Sequence, residues 1–162
     1  MEYVVVEGPD GSGKSTLVQA IYEKYENDLK IKRVRQPGYP CEEFRTILLD
    51  DKYKDIMNMH AERAVFAADN AVFMEWLATV DDYDLVLSDR STAISERMYA
   101  RARTDAIDEL DFINSSLNRM QQVPNIIKAD VVFVLTADKL LLYDRRKNRG
   151  KADRIESTGE KF

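Results

Sequence analysis

Gly8-Pro9-Asp10-Gly11-Ser12-Gly13-Lys14-Ser15 constrains this chain more than any other stretch. It satisfies the pattern G-x-x-x-x-G-K-[ST] without a mismatch. It follows the β-branched run Tyr3-Val4-Val5-Val6, which reads as a strand buried on both faces. Behind it come Leu17, Ile21 and Tyr25, spaced by four as on one face of a helix over Ser15 to about Asp28. Strand, glycine-rich turn and helix in that order predict a cradle for phosphate oxygens. Glycines let the backbone turn tightly and aim successive N–H groups inward, and the helix start adds the positive end of its dipole. Gly8, Asp10, Gly11, Ser12, Gly13, Lys14, Ser15 and Thr16 are therefore the expected nucleotide-binding residues. Lys14 would reach the β- and γ-phosphates, and the Ser15 hydroxyl would ligate Mg²⁺.

The rest of the chain alternates strand and helix patterns. Ile31–Gln36, Leu85-Val86-Leu87 and Val131–Leu135 read as strands. Cys41–Asp50, Ala61–Val80, Thr104–Gln122 and Asp138–Arg149 read as helices, the second with Phe66, Phe73, Leu77 and Val80 on one stripe. This alternation predicts an α/β fold of three layers, a central parallel sheet between helices. In such sheets ligands gather at the carboxyl ends of the strands. Gly8, Gln36 and Asp89 all stand at such ends and are expected to converge. Asp89 would orient Mg²⁺ through water, and Arg90 beside it would grip a phosphate bidentately. At 162 residues, without repeat or linker, residues 1–162 are expected to form one domain.

Composition excludes several classes. A net charge of −5 argues against binding a nucleic-acid polymer. No apolar run approaches the roughly 20 residues that cross a bilayer, and no leader pattern opens the chain. The single cysteine, Cys41, suits a reducing cytoplasm. Positive charge is concentrated instead at Lys139, Arg145, Arg146, Lys147, Arg149, Lys151 and Arg154. In an acidic protein this reads as a local anion site, or as a solvated helix face. Phosphoryl transfer brings together anionic oxygens, so it needs such charge more than it needs covalent chemistry.

These residues resemble the thymidylate kinase family. Val5 to Thr16 is similar to that family's opening strand and phosphate loop. Arg35-Gln36-Pro37-Gly38, with Arg45-Thr46-Ile47-Leu48-Leu49 behind it, resembles its R-E-P-G segment and following helix. Phe66-Ala67-Ala68-Asp69 resembles the start of its base-binding helix, and Asp89-Arg90 its D-R motif. Arg149-Gly150 with Asp153-Arg154-Ile155-Glu156 resembles its lid. The resemblance implies an ATP- and Mg²⁺-dependent deoxynucleoside monophosphate kinase with a phosphate loop at 8–16, an acceptor region over about 36–103 and a helical lid over about 143–157. It places Asp10 near the acceptor sugar and Arg90, with Arg45, on the acceptor phosphate. Gln36, Pro37, Tyr39, Phe66 and Asn70 complete the expected substrate side. Arg145 and Arg149, four apart, supply catalytic charge from the lid, since Gly11 stands where some members carry a loop arginine. Family members commonly dimerise through helices, and Ala61–Val80 is apolar enough to permit it.

The chain departs from the family pattern in three places. Asn70 replaces an arginine that reads the pyrimidine, which leaves the base open; a buried amide satisfied by backbone is the alternative. Asp89-Arg90-Ser91, with Ser95-Glu96-Arg97, also resembles deoxynucleoside kinases. Those enzymes need a carboxylate base after the second strand, where this chain has Gln36, although Glu42 or Glu43 could reach in. The chain stops at Phe162, just past the lid, where family members continue; weak turnover is one expectation. A binding module without turnover is a further alternative. His60 is expected at a surface or helix start, and Trp76 in the core.

Overall fold

A computed structural model of the chain describes residues 1–95 and 127–148. The backbone divides into two compact units. The first comprises residues 1–36, 79–91 and the described residues from Lys128 onward, and it carries the sheet. Its elements are β1 (Glu2–Glu7), α1 (Lys14–Tyr25), β2 (Ile31–Arg35), β3 (Leu85–Asp89), β4 (Val131–Val134) and α4 (Lys139–Asn148).

The strands lie in the order β2-β3-β1-β4, and every pairing is parallel. The α/β reading therefore holds, as a parallel four-stranded sheet flanked by helices. β1 can be central because Tyr3, Val5 and Val6 are all buried, so both faces of the strand are covered. Register follows from this: Val6 lies opposite Asp89 on β3, and Arg35 on β2 lies opposite the same Asp89. Val6, Val18 and Leu87 form the core of the unit, with Val4, Leu17, Ile21, Ile31, Leu85 and Leu135 packed against them.

One expectation is corrected here. The buried face of α1 runs through Lys14 and Val18, with Leu17 and Ile21 partly buried beside them, while Tyr25 is exposed. The helix begins at Lys14, so its buried stripe is set by the residues that follow the loop and has turned outward by the last turn. All four residues of β4 are exposed, Val134 most of all. This strand is an edge, paired only with β1 among the described residues.

The second unit contributes residues 37–78, 92–95 and 127 to the description. It holds α2 (Glu42–Leu49), a short 3-10 turn (Asp51–Tyr53) and α3 (Met59–Thr79). Glu42 and Glu43 sit in the first turn of α2, where carboxylates complement the helix dipole. Leu48 and Phe66 are buried together, with Leu49, Met57 and Val65 around them. Phe73 and Leu77 are also buried, as the α3 stripe requires. His60 is exposed in the first turn of α3, and Trp76 is half-buried. The helix expected over Thr104–Gln122 lies outside the described residues. No helix among the described residues is long and apolar enough to cross a membrane.

Candidate active site

The glycine-rich turn between β1 and α1 walls a cavity of about 790 Å³, lined by Asp10–Leu17, Ala20, Arg35, Asp89, Arg90, Leu135 and Arg145. Gly8 opens the turn at φ 146°, and a β-carbon there would lie 2.5 Å from the Leu135 carbonyl oxygen. Only glycine fits, because that carbonyl belongs to the chain leaving β4, whose Leu135 N–H donates to the Glu7 carbonyl at 2.8 Å. The Ser12 N–H closes the turn on the Pro9 carbonyl at 3.2 Å, and Gly13 caps α1. The buried Ser12 Oγ has no hydrogen-bond partner among the described residues, so the turn holds a polar atom with bonding capacity to spare.

Lys14 is buried, its Nζ donating to the Pro9 carbonyl at 2.8 Å and lying 3.8 Å from Asp10. Burial lowers its pKa first, and the charge of Arg90 lowers it further, against the opposing pull of Asp10, Asp89 and Glu7. An ammonium held in that way gains from any anion that enters the cavity.

Gly8, Gln36 and Asp89 do converge at the carboxyl edge of the sheet. The Gln36 N–H donates to the Asp89 carbonyl at 3.1 Å, and Gln36 itself is fully buried. The Ser15 hydroxyl donates to Asp89 Oδ2 at 2.5 Å, so the two expected Mg²⁺-handling groups stand in contact across 74 residues of sequence. Hydroxyl and carboxylate are hard oxygen donors and fit Mg²⁺. Among the described residues no cluster of three or more His, Cys, Asp or Glu could hold a metal without other ligands. An ion here would take its remaining ligands from phosphate and water, which is how Mg²⁺ is usually held.

Arg90 adopts φ 77°, a left-handed conformation that non-glycine residues reach at a cost of roughly 1–3 kcal/mol. Its N–H donates to the Val6 carbonyl at 2.9 Å, and its guanidinium binds Glu7, Asp10 and the Gly8 carbonyl. On α4, Arg145 Nη1 donates to the Gly11 carbonyl at 3.0 Å, which brings one of the two expected lid arginines onto the loop. Arg149 lies outside the described residues.

In the second unit, Pro37 and Gly38 are buried and Tyr39 is half-buried, its ring edge-on to Trp76 with centroids 4.7 Å apart. Arg45 Nη1 reaches the Pro37 carbonyl at 3.4 Å. Phe66 and Asn70 are both buried on α3. The buried Asn70 Oδ1 has no hydrogen-bond partner among the described residues, which leaves an acceptor open at the position expected to meet a base.

A model of the thymidylate kinase family matches residues 6–162. The chain belongs to the thymidylate kinase family. It is 33% identical over 162 residues to a thymidylate kinase of Campylobacter concisus, covering 99% of this chain and 78% of that protein. Thymidylate kinases of Finegoldia magna and Acinetobacter baylyi are each 29% identical, with the same coverage. The chain is thus a nucleoside monophosphate kinase, a phosphotransferase that binds nucleotides.

Three residues to which sequence reasoning gave no role stand out within this thymidylate kinase framework. Glu7 is fully buried beneath the phosphate loop and binds Arg90. Asp69 is buried on α3 and accepts hydrogen bonds from the Gly38 N–H at 2.7 Å and from the Thr92 hydroxyl. Arg35 lines the loop cavity from the end of β2. The first two carried a readable signal. A carboxylate inside an apolar strand end, or on the buried stripe of a helix, must be paired to be tolerated.

Proposed function

We propose that this protein transfers the γ-phosphoryl group of ATP to a pyrimidine deoxynucleoside monophosphate, dTMP in the first instance, forming the diphosphate. One observation carries the reading: Lys14, the Ser15–Asp89 pair, Arg90 and Arg145 all line one cavity at the glycine-rich turn. Backbone N–H groups of the loop and Lys14 would hold the donor's phosphates, with Ser15 and Asp89 holding Mg²⁺. An ion held there would supply positive charge to offset the charge that builds on the phosphoryl oxygens. Arg90 binds the acceptor phosphate and sets it in line, while Arg145 lies against the loop to meet charge on the transferring group.

The acceptor oxygen of a monophosphate is already ionised, so no side chain need remove a proton. The neutral, buried Gln36 is consistent with that, since a kinase acting on a neutral hydroxyl would need a carboxylate there. On the base side, Asn70 offers an acceptor that the N–H of a pyrimidine would complete, while its amide N–H₂ can donate to a carbonyl.

The test is phosphoryl transfer from ATP with Mg²⁺ across a panel of deoxynucleosides and their monophosphates. Diphosphate from dTMP, lost in Lys14→Ala, is the expected result. Product from nucleosides alone would replace this reading with a nucleoside kinase. No product, with ATP still bound, would leave a nucleotide-binding module.

A further inference from the structure

We infer that Glu7 is a positioning residue for phosphoryl transfer: a buried carboxylate that presets Arg90 for the acceptor phosphate and ties it to the first residue of the phosphate loop. The inference rests on the role of Arg90 proposed above. Glu7 ends β1 at 0% exposure, in the centre of the sheet. A carboxylate so placed is expensive to bury unless charged and polar partners surround it. Its Oε1 accepts from the Gly8 N–H at 3.0 Å and from Arg90 Nη1 at 3.3 Å. Its Oε2 accepts from the Ser91 N–H at 3.2 Å. One carboxylate therefore holds the backbone on the donor side, the backbone after Arg90, and the Arg90 side chain itself.

This arrangement accounts for the conformation of Arg90. Its left-handed φ of 77° turns the chain at the end of β3, and the Ser91 N–H that results points at Glu7. The guanidinium then has one nitrogen engaged by Glu7 and the Gly8 carbonyl and the other by Asp10, at the cavity that Arg90 and Asp10 both line. A guanidinium is a rigid planar fork, so holding one nitrogen fixes the direction in which the whole group is presented to a phosphate. Asp10 is partly exposed and holds the other nitrogen, so an entering phosphate can displace it; Glu7, beneath the loop, stays in place.

Glu7→Gln tests this with almost no change of shape. A carboxamide accepts at one atom and donates at the other, so either orientation sets its N–H₂ against a donor now bound to Glu7. Binding of dTMP and of thymidine is measured by calorimetry in the wild type, Glu7→Gln, Arg90→Ala and the double variant. The wild type should prefer the monophosphate. Glu7→Gln should lose that preference by on the order of tenfold while thymidine binding holds, because only the phosphate contact depends on Arg90. The double variant should match Arg90→Ala, since Glu7 acts through Arg90. A Glu7→Gln protein that keeps the preference, or weakens both ligands equally, overturns the inference. A wild type without preference overturns the role of Arg90 as well, and is thereby distinguished. If Glu7→Gln does not fold, ¹⁵N-arginine spectra of the wild type decide. A ligand-free Arg90 guanidinium, assigned by its loss in Arg90→Ala, should show restricted rotation, and free rotation overturns the proposal.

Discussion

Asp69 sits where burial pushes its carboxyl above the usual aspartate range, and hydrogen bonds from Thr92 and Gly38, with the charge of Arg45, only partly oppose that. The sign of the consequence follows from linkage. A folded state with the higher pKa binds its proton more readily than the unfolded chain. Stability from this group is therefore present below the ordinary aspartate value of about 4 and lost as pH rises through the raised folded value. Asp69→Asn should flatten that slope. The amide oxygen can still accept from Gly38, and its N–H₂ can donate to the Thr92 hydroxyl, which is able to turn round. Unfolding midpoints measured across mildly acidic pH check this, and an unchanged slope in the variant would locate the effect elsewhere. Lys14 makes a different demand. Its ammonium is buried beside Asp10 at the cavity wall, and triphosphate oxygens would add counter-charge to it. Lys14→Ala should lower kcat/KM by on the order of a hundredfold or more, with a far smaller effect on the unfolding midpoint.

At the level of elements, the loop after β2 and the start of α2 are joined at one glycine. Gly38 has φ 116°, and a β-carbon there would lie 2.6 Å from the Arg45 β-carbon. Gly38→Ala should therefore move the loop or α2 as well as strain its own backbone, costing about 1–3 kcal/mol. Because the Gly38 N–H also binds Asp69, the loss should appear in acceptor KM before it appears in ATP affinity. Kinetics with each substrate varied in turn would show this. α3 depends on packing more than on its termini. Phe73 is fully buried, and Phe73→Ala should cost about 3–5 kcal/mol of stability in urea unfolding.

For the whole molecule, the nucleotide should act as a stabilising ligand. A state that binds Mg·ATP only when folded gains about 2.7 kcal/mol at a ligand concentration one hundredfold above Kd. Thermal unfolding should rise with Mg·ATP and stay flat in Lys14→Ala. An equal shift in both proteins would mean that the nucleotide binds away from the loop. The overall charge of −5 works against phosphate ligands, so the local cluster of Lys14, Arg35, Arg90 and Arg145 must reverse the sign at the cavity.

Much of this was legible in the linear chain, and the reason is range. The phosphate loop is a contiguous eight-residue pattern whose neighbours, a buried strand and a helix, are also local, so period and motif expose it without tertiary information. The parallel sheet followed from strands alternating with helices, and its carboxyl edge from where those strands stop. The helical face of α1 was misread at Tyr25 because spacing by four drifts off the buried stripe over three turns. What folding alone decided is every contact between distant carboxylates and their donors. Glu7 meets Arg90 across 83 positions, Asp69 meets Gly38 across 31, and Ser15 meets Asp89 across 74. Sequence marks Glu7 and Asp69 only as charges where apolar residues belong. It cannot name their partners, because pairing is set by strand order and register, and those are decided when the sheet assembles.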